Sequence, residues 1–109
     1  MNINDILSEE SILVDFNASS KKHVLDALSK LAERDIKVSY KTILDNLIKR
    51  EKLGSTAVGN GIAIPHTTES SLDKPKGFLA ILSSGLEFNA NDDRPVDIIF
   101  LLLAPTNNG

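Results

Sequence analysis

The sequence has no cysteine, which removes disulfide frameworks, thiolate zinc sites and cysteine nucleophiles together. Only two histidines, His23 and His66, are available for imidazole chemistry. The longest apolar run, residues 98–104, falls far short of the roughly 20 residues a membrane-spanning helix needs, so no membrane insertion is expected. A cationic excess is also missing. Twelve Lys and Arg face fifteen Asp and Glu, giving a net charge of −3, whereas non-specific binding to nucleic acid or an anionic membrane requires positive charge. The N-terminus carries acids where a signal peptide carries basic residues and then an apolar stretch. A cytoplasmic protein without a nucleic-acid partner is the expectation.

What is present is 109 residues, 41% of them hydrophobic, enough for a single domain with its own core. No repeat, low-complexity tract or Pro/Gly-rich linker divides the chain, but its periodicity changes near Gly54. The first half reads helical. Val24, Leu25, Ala27, Leu28, Leu31 and Ala32 recur at three- and four-residue spacing, with Ser19 or Ser20 as the N-cap. A second helix follows Ser39, with Tyr40, Ile43, Leu44, Leu47 and Ile48 on one face, and ends near Leu53.

The second half reads extended. Ile62, Ala63 and Ile64 form a very short strand cut off by Pro65, and a polar stretch over 67–76 leads to a buried strand over 77–82. Turn-rich residues 89–95 precede the last run, Val96–Ala104, whose continuous apolar character predicts cover on both faces. With a short strand over 11–16 before the helices, the expectation is an α/β layered domain.

Gly59, Asn60, Gly61, Ile62, Ala63, Ile64, Pro65 and His66 form the segment richest in chemistry. Proline fixes φ and lacks an amide hydrogen, so it stops the ladder and presents His66 at a strand end. A neutral imidazole, with an ordinary pKa of ~6.5, is a good nucleophile toward a phosphoryl group. Such a site needs donors for the phosphoryl oxygens, a cation, and a partner that fixes the imidazole tautomer. Gly54, Ser55, Thr56, Gly59 and Gly61 offer amides and hydroxyls, and Arg50 offers the cation. Taken singly, His66 also reads as a turn histidine, the glycines as a connection and Arg50 as a solvated helix residue.

Two other classes compete. The helices starting at Ser20 and Ser39 have the order of a helix-turn-helix, with Lys41, Lys49, Arg50 and Lys52 available for phosphates, but Asp45 and Glu51 interrupt that surface. A metal-dependent hydrolase would draw on His66 with Asp92, Asp93 or Glu69, yet no histidine-spacing motif for a metal is present.

The residues from Arg50 through Thr56, then Ala57 and Val58, then Gly59 through His66, resemble the phosphorylation-site signature of fructose/mannitol-type enzyme IIA domains of the bacterial phosphotransferase system. The flanks resemble the nitrogen-regulatory branch: Ser19, Ser20, Lys21 and Lys22; Phe88, Asn89 and Ala90; Arg94 through Asp97; and Leu101 through Pro105. The resemblance implies a mixed β-sheet flanked by α-helices. It makes His66 the phosphoryl acceptor, with either ring nitrogen open, and Arg50 an active-site arginine, with Ser55, Thr56, Asn60 and Gly61 around the phosphoryl group. Asn60 stands where mannitol-type members carry a glutamate, and Thr67 where a small residue commonly follows the histidine.

The implied donor is a histidine-containing phosphocarrier protein, and the implied recipient is a regulatory target or, in a sugar-transport role, an enzyme IIB. No cofactor or metal is implied. Family domains continue past the final strand with a second active-site histidine and further helices. Residues 1–109 are therefore expected to form the N-terminal portion of the family unit. Weaker phosphoryl transfer and self-association through an uncovered sheet face are the two consequences expected.

Overall fold

Two amphipathic segments with serine caps open the architecture. The computed structural model describes residues 3–106. Helix α1 (Lys21–Ile36) starts where Ser20 Oγ accepts the His23 N–H at 3.0 Å, so of the two candidate caps Ser20 is the one used. It ends at Lys37, which adopts a left-handed conformation. Helix α2 (Tyr40–Lys52) follows at once, with Ser39 Oγ accepting the Lys41 N–H and the Glu33 carboxylate accepting the Tyr40 N–H at 3.0 Å.

The strands are β1 (Ile12–Phe16), β2 (Ala57–Gly59), β3 (Ile62–Ala63), β4 (His66–Thr68), β5 (Lys76–Leu86) and β6 (Val96–Ala104). They form one mixed sheet in the order β1-β5-β6-β3-β2, with β4 also on β6. Strand β5 lies antiparallel to β6, while β1 runs parallel to β5, and β3 and β4 run parallel to β6. An α/β layered domain with a mixed sheet and two helices is what the sequence led one to expect.

Three details differ from expectation. Strand β5 runs four residues past 82, to Leu86. Strand β3 stops at Ala63, before Ile64. The stretch beginning at Thr67 is not all loop, because His66, Thr67 and Thr68 pair with Leu102, Leu103 and Ala104.

Sheet register divides β6 cleanly. Ile99, Leu101 and Leu103 point to the helices and are fully buried, joining Phe78 and Ala80 of β5 and Leu25, Leu28, Ile43 and Leu47 of the helices. Ile98, Phe100 and Leu102 point to the opposite face, where Ile98 and Ile81 are each 38% exposed and Phe100 and Leu102 half-buried. Cover on both faces of this strand is thus not observed among the described residues, because both helices lie on one side.

The second face is shielded only near one end. There the Gly77 N–H donates to the Ile6 carbonyl at 3.0 Å, and a Cβ at Gly77 would lie 2.6 Å from Phe100 Cζ and 2.8 Å from Ile6 Cγ2. Only glycine permits that approach.

Candidate functional site

His66 owes its position to an interruption. Strands β3 and β4 lie one after the other along the same edge of β6, separated by Ile64 and Pro65. Pro65 is buried, and its carbonyl accepts the Leu102 N–H at 2.9 Å, so the chain remains attached to β6 through the break. His66 then opens β4 rather than ending a strand. Its register with Leu102 puts it on the face away from the helices, and its side chain is exposed.

The imidazole bends back to its own backbone. His66 Nδ1 lies 2.8 Å from the Ile64 carbonyl oxygen. A carbonyl only accepts, so Nδ1 carries the hydrogen, and in the neutral ring Nε2 then carries the lone pair. Among the described residues Nε2 has no protein hydrogen-bond partner.

Asn60 and Gly61 make the turn between β2 and β3. Their φ values of 58° and 81° match the two left-handed positions of a type I′ hairpin, for which Asn-Gly is the favoured pair. The Asn60 N–H donates to Asp92 Oδ2 at 2.9 Å, and Asp92 Oδ1 accepts the Arg94 N–H at 3.1 Å. These two backbone donors, Asn60 first, hold the Asp92 carboxyl below the usual carboxylate range. The Gly61 carbonyl accepts from the N–H groups of Asp97 and Ile98 at 3.0 and 3.1 Å, which ties the turn to the start of β6.

The remaining residues expected at the site cluster at the end of α2. The Arg50 guanidinium donates from Nη1 to the Gly54 carbonyl at 2.8 Å. The Ser55 hydroxyl donates to the Phe88 carbonyl at 2.5 Å and accepts the Ala57 N–H at 3.1 Å. Thr56 is buried, and both its N–H and its hydroxyl donate to the Glu51 carboxylate. The two hydroxyls are therefore engaged within the protein, Arg50 braces the helix end, and none of these bonds reaches His66.

Two residues in this cluster were not picked out from the sequence. Glu51, only 7% exposed at its side chain, binds Thr56 and forms a 2.8 Å ion pair with Lys21. Lys21 Nζ also lies 3.3 Å from Asn89 Oδ1 and 4.5 Å from the centre of the buried Phe88 ring. One signal was present: a helix start favours acids, yet α1 opens with Lys21 and Lys22. His23, by contrast, faces solvent on α1. Its Nδ1 accepts the Ser19 N–H at 2.9 Å.

Of the acids considered for a metal, Asp92 accepts from the Asn60 and Arg94 N–H groups, and Glu69 accepts from the Ser71 N–H and hydroxyl. Among the described residues no cluster of three potential ligands forms, and no helix is long and apolar enough to cross a membrane.

Residues 5–109 match the family model described as phosphoenolpyruvate-dependent sugar phosphotransferase system, EIIA 2. A nitrogen regulatory protein of Bradyrhizobium diazoefficiens is 40% identical over 109 residues, covering all of this chain and 71% of its own length. A fructose-specific EIIA component of Haloferax volcanii is 32% identical over 108 residues, 98% of this chain and 70% of that protein. The crystal structure of nitrogen regulatory protein IIA-Ntr from Neisseria meningitidis superposes with a TM-score of 0.91 at 36% identity, covering 96% of this chain and 72% of that one.

Proposed function

Because the chain belongs to the EIIA type 2 family of the phosphoenolpyruvate-dependent sugar phosphotransferase system, we propose that His66 accepts a phosphoryl group on Nε2 from a histidine-containing phosphocarrier protein. The protein then acts as a regulatory phosphocarrier of the nitrogen-regulatory kind. The observation that carries this reading is the 2.8 Å contact of His66 Nδ1 with the Ile64 carbonyl, on an exposed ring.

The chemistry follows from that tautomer. The Nε2 lone pair attacks phosphorus in line, a new N–P bond forms, and the N–P bond of the donor's phosphohistidine breaks, leaving the electron pair on the donor nitrogen. His66 keeps its Nδ1 hydrogen throughout, so its ring gains positive charge as the bond forms. The Ile64 carbonyl, already aligned with Nδ1–H, stabilises that charge without reorganisation. Arg50 is the proposed cation for the phosphoryl oxygens. The phosphoryl group then adds about two negative charges to the surface, enough to create or weaken a partner interface.

Intact-mass measurement after incubation with the phosphorylated carrier tests this. Wild type gains one phosphoryl group and His66→Ala gains none; equal labelling of both rejects the reading. The fructose-specific relative supports a second role, delivery of the phosphoryl group to an enzyme IIB. Transfer from labelled protein to a purified enzyme IIB distinguishes that role from regulation.

A further inference from the structure

A neutral imidazole free in water prefers its hydrogen on Nε2, which would place the hydrogen on the nitrogen proposed to attack. The preference has to be reversed at His66, and the ring is exposed, so packing does not do it. The acceptor that reverses it is a single carbonyl, that of Ile64. That carbonyl sits in a break between strands, where no ladder bond of its own residue to β6 is formed.

The position of Ile64 is set from elsewhere. Its N–H donates to the Thr56 carbonyl at 3.0 Å. The Thr56 N–H in turn donates to the Glu51 carboxylate at 3.1 and 3.3 Å, reinforced by the Thr56 hydroxyl. Lys21 holds that carboxylate from α1 at 2.8 Å. Pro65 completes the restraint, since its ring limits the backbone of the residue before it and thereby the direction of the Ile64 carbonyl. A continuous series of contacts thus runs from Lys21 through Glu51, Thr56 and Ile64 to His66 Nδ1.

We infer that Glu51, clamped by Lys21, is a positioning residue that sets the tautomer and ring orientation of His66 through Thr56 and Ile64. The inference rests on the assignment of Nε2 as the acceptor nitrogen, but the tautomer itself is measurable without any transfer. Glu51 is suited to the task because it is a nearly buried charge with all its partners fixed. Hydrogen bonds to such a carboxylate are shorter and stronger than neutral ones and polarise the peptides beyond them. Gln at the same place keeps the shape and loses the charge.

The test uses the full chain with 15N-labelled histidine and reads the ring nitrogen shifts of neutral His66. Wild type shows the Nδ1–H form as the major species. Glu51→Gln and Lys21→Met shift the population toward Nε2–H and slow phosphoryl acceptance by roughly tenfold to a hundredfold, as loss of alignment predicts. Lys21→Arg retains the ion pair and the wild-type tautomer. Ser20→Ala supplies the control: it weakens the start of α1 without touching Glu51, so the His66 spectrum stays unchanged even as stability drops. If Glu51→Gln does not fold, Lys21→Met decides. A folded variant of either kind with the wild-type ring spectrum overturns the inference, as does an Nε2–H tautomer in wild type. Failure of His66 to label with a wild-type Nδ1–H spectrum rejects the phosphoryl reading and leaves the tautomer control standing.

Discussion

The backbone N–H of Asn60 points at Asp92 Oδ2 across 2.9 Å, joining the tip of the β2–β3 hairpin to the turn that feeds β6. The bond is stronger with Asp92 ionised, and the carboxyl is correspondingly held below its ordinary value of 3.8 by the Asn60 and Arg94 N–H donors. For a depressed carboxylate the stabilisation is fully present above the unfolded value and is lost as pH falls through the folded one. The Asn60 amide resonance is therefore expected to shift as Asp92 titrates, below pH 3.8. In Asp92→Asn that transition disappears. An Asn60 amide insensitive to acid in wild type refutes the clamp.

The same hairpin sets a backbone requirement. Gly61 has φ of +81°, and a Cβ there would lie 3.1 Å from Asp97 Oδ1. Gly61→Ala is expected to destabilise by about 1–2 kcal/mol in urea unfolding, and Asn60→Gly to stay within a few tenths of wild type. Equal midpoints for Gly61→Ala and wild type contradict the assigned turn.

Neighbouring isoleucines in β6 separate the two faces of the sheet. Ile99 is fully buried and Ile98 is 38% exposed. Truncation of Ile99 to Ala should cost about 2–4 kcal/mol, as for well-packed core aliphatics. Ile98→Ala should cost less than half as much. Comparable losses in chemical denaturation show that both faces are covered in solution.

Arg50 offers a split between two roles. Its 2.8 Å bond to the Gly54 carbonyl caps the end of α2, a contribution of about 1 kcal/mol or less at a partly exposed helix end. Arg50→Ala is expected to melt within a few degrees of wild type and, on the proposed role of Arg50 as the cation for the phosphoryl oxygens, to accept the phosphoryl group at least about tenfold more slowly. A variant with wild-type labelling kinetics confines Arg50 to capping.

The helices were legible because their signals are local. A 3.6-residue apolar stripe and a serine ahead of it locate the starts of α1 and α2, and the end of α2, to within a residue or two. His66 was legible for a similar reason, as the residue after Pro65 at the end of a short apolar run. What escaped notice depends on partners distant in sequence. His66, Thr67 and Thr68 carry no strand pattern of their own, and they are extended because the edge of β6 at Leu102, Leu103 and Ala104 pairs with them. Glu51 has no local sequence signal for its partner, because Lys21 stands 30 residues earlier and meets it only in the fold. The apolar run of β6, read alone, predicted cover on both faces, whereas the resemblance implied an uncovered sheet face, and it is the second that agrees with the exposure of Ile98 and Ile81: composition reports hydrophobicity on both sides, while burial depends on which elements lie there.

Pro65 and Leu102 give the split edge of the sheet a last consequence. Because β6 holds the chain both before the break, at Ala63, and after it, at His66, modification of the proposed acceptor ring is expected to leave the flanking strands β3 and β4 in place. The phosphorylated and unphosphorylated proteins should therefore present nearly the same relief with different charge. A partner that tells them apart does so by reading the surface, and amide shifts on labelling should stay confined to the neighbourhood of His66. Shifts spreading through α1 or β1 would instead show that the message is carried by a change of shape.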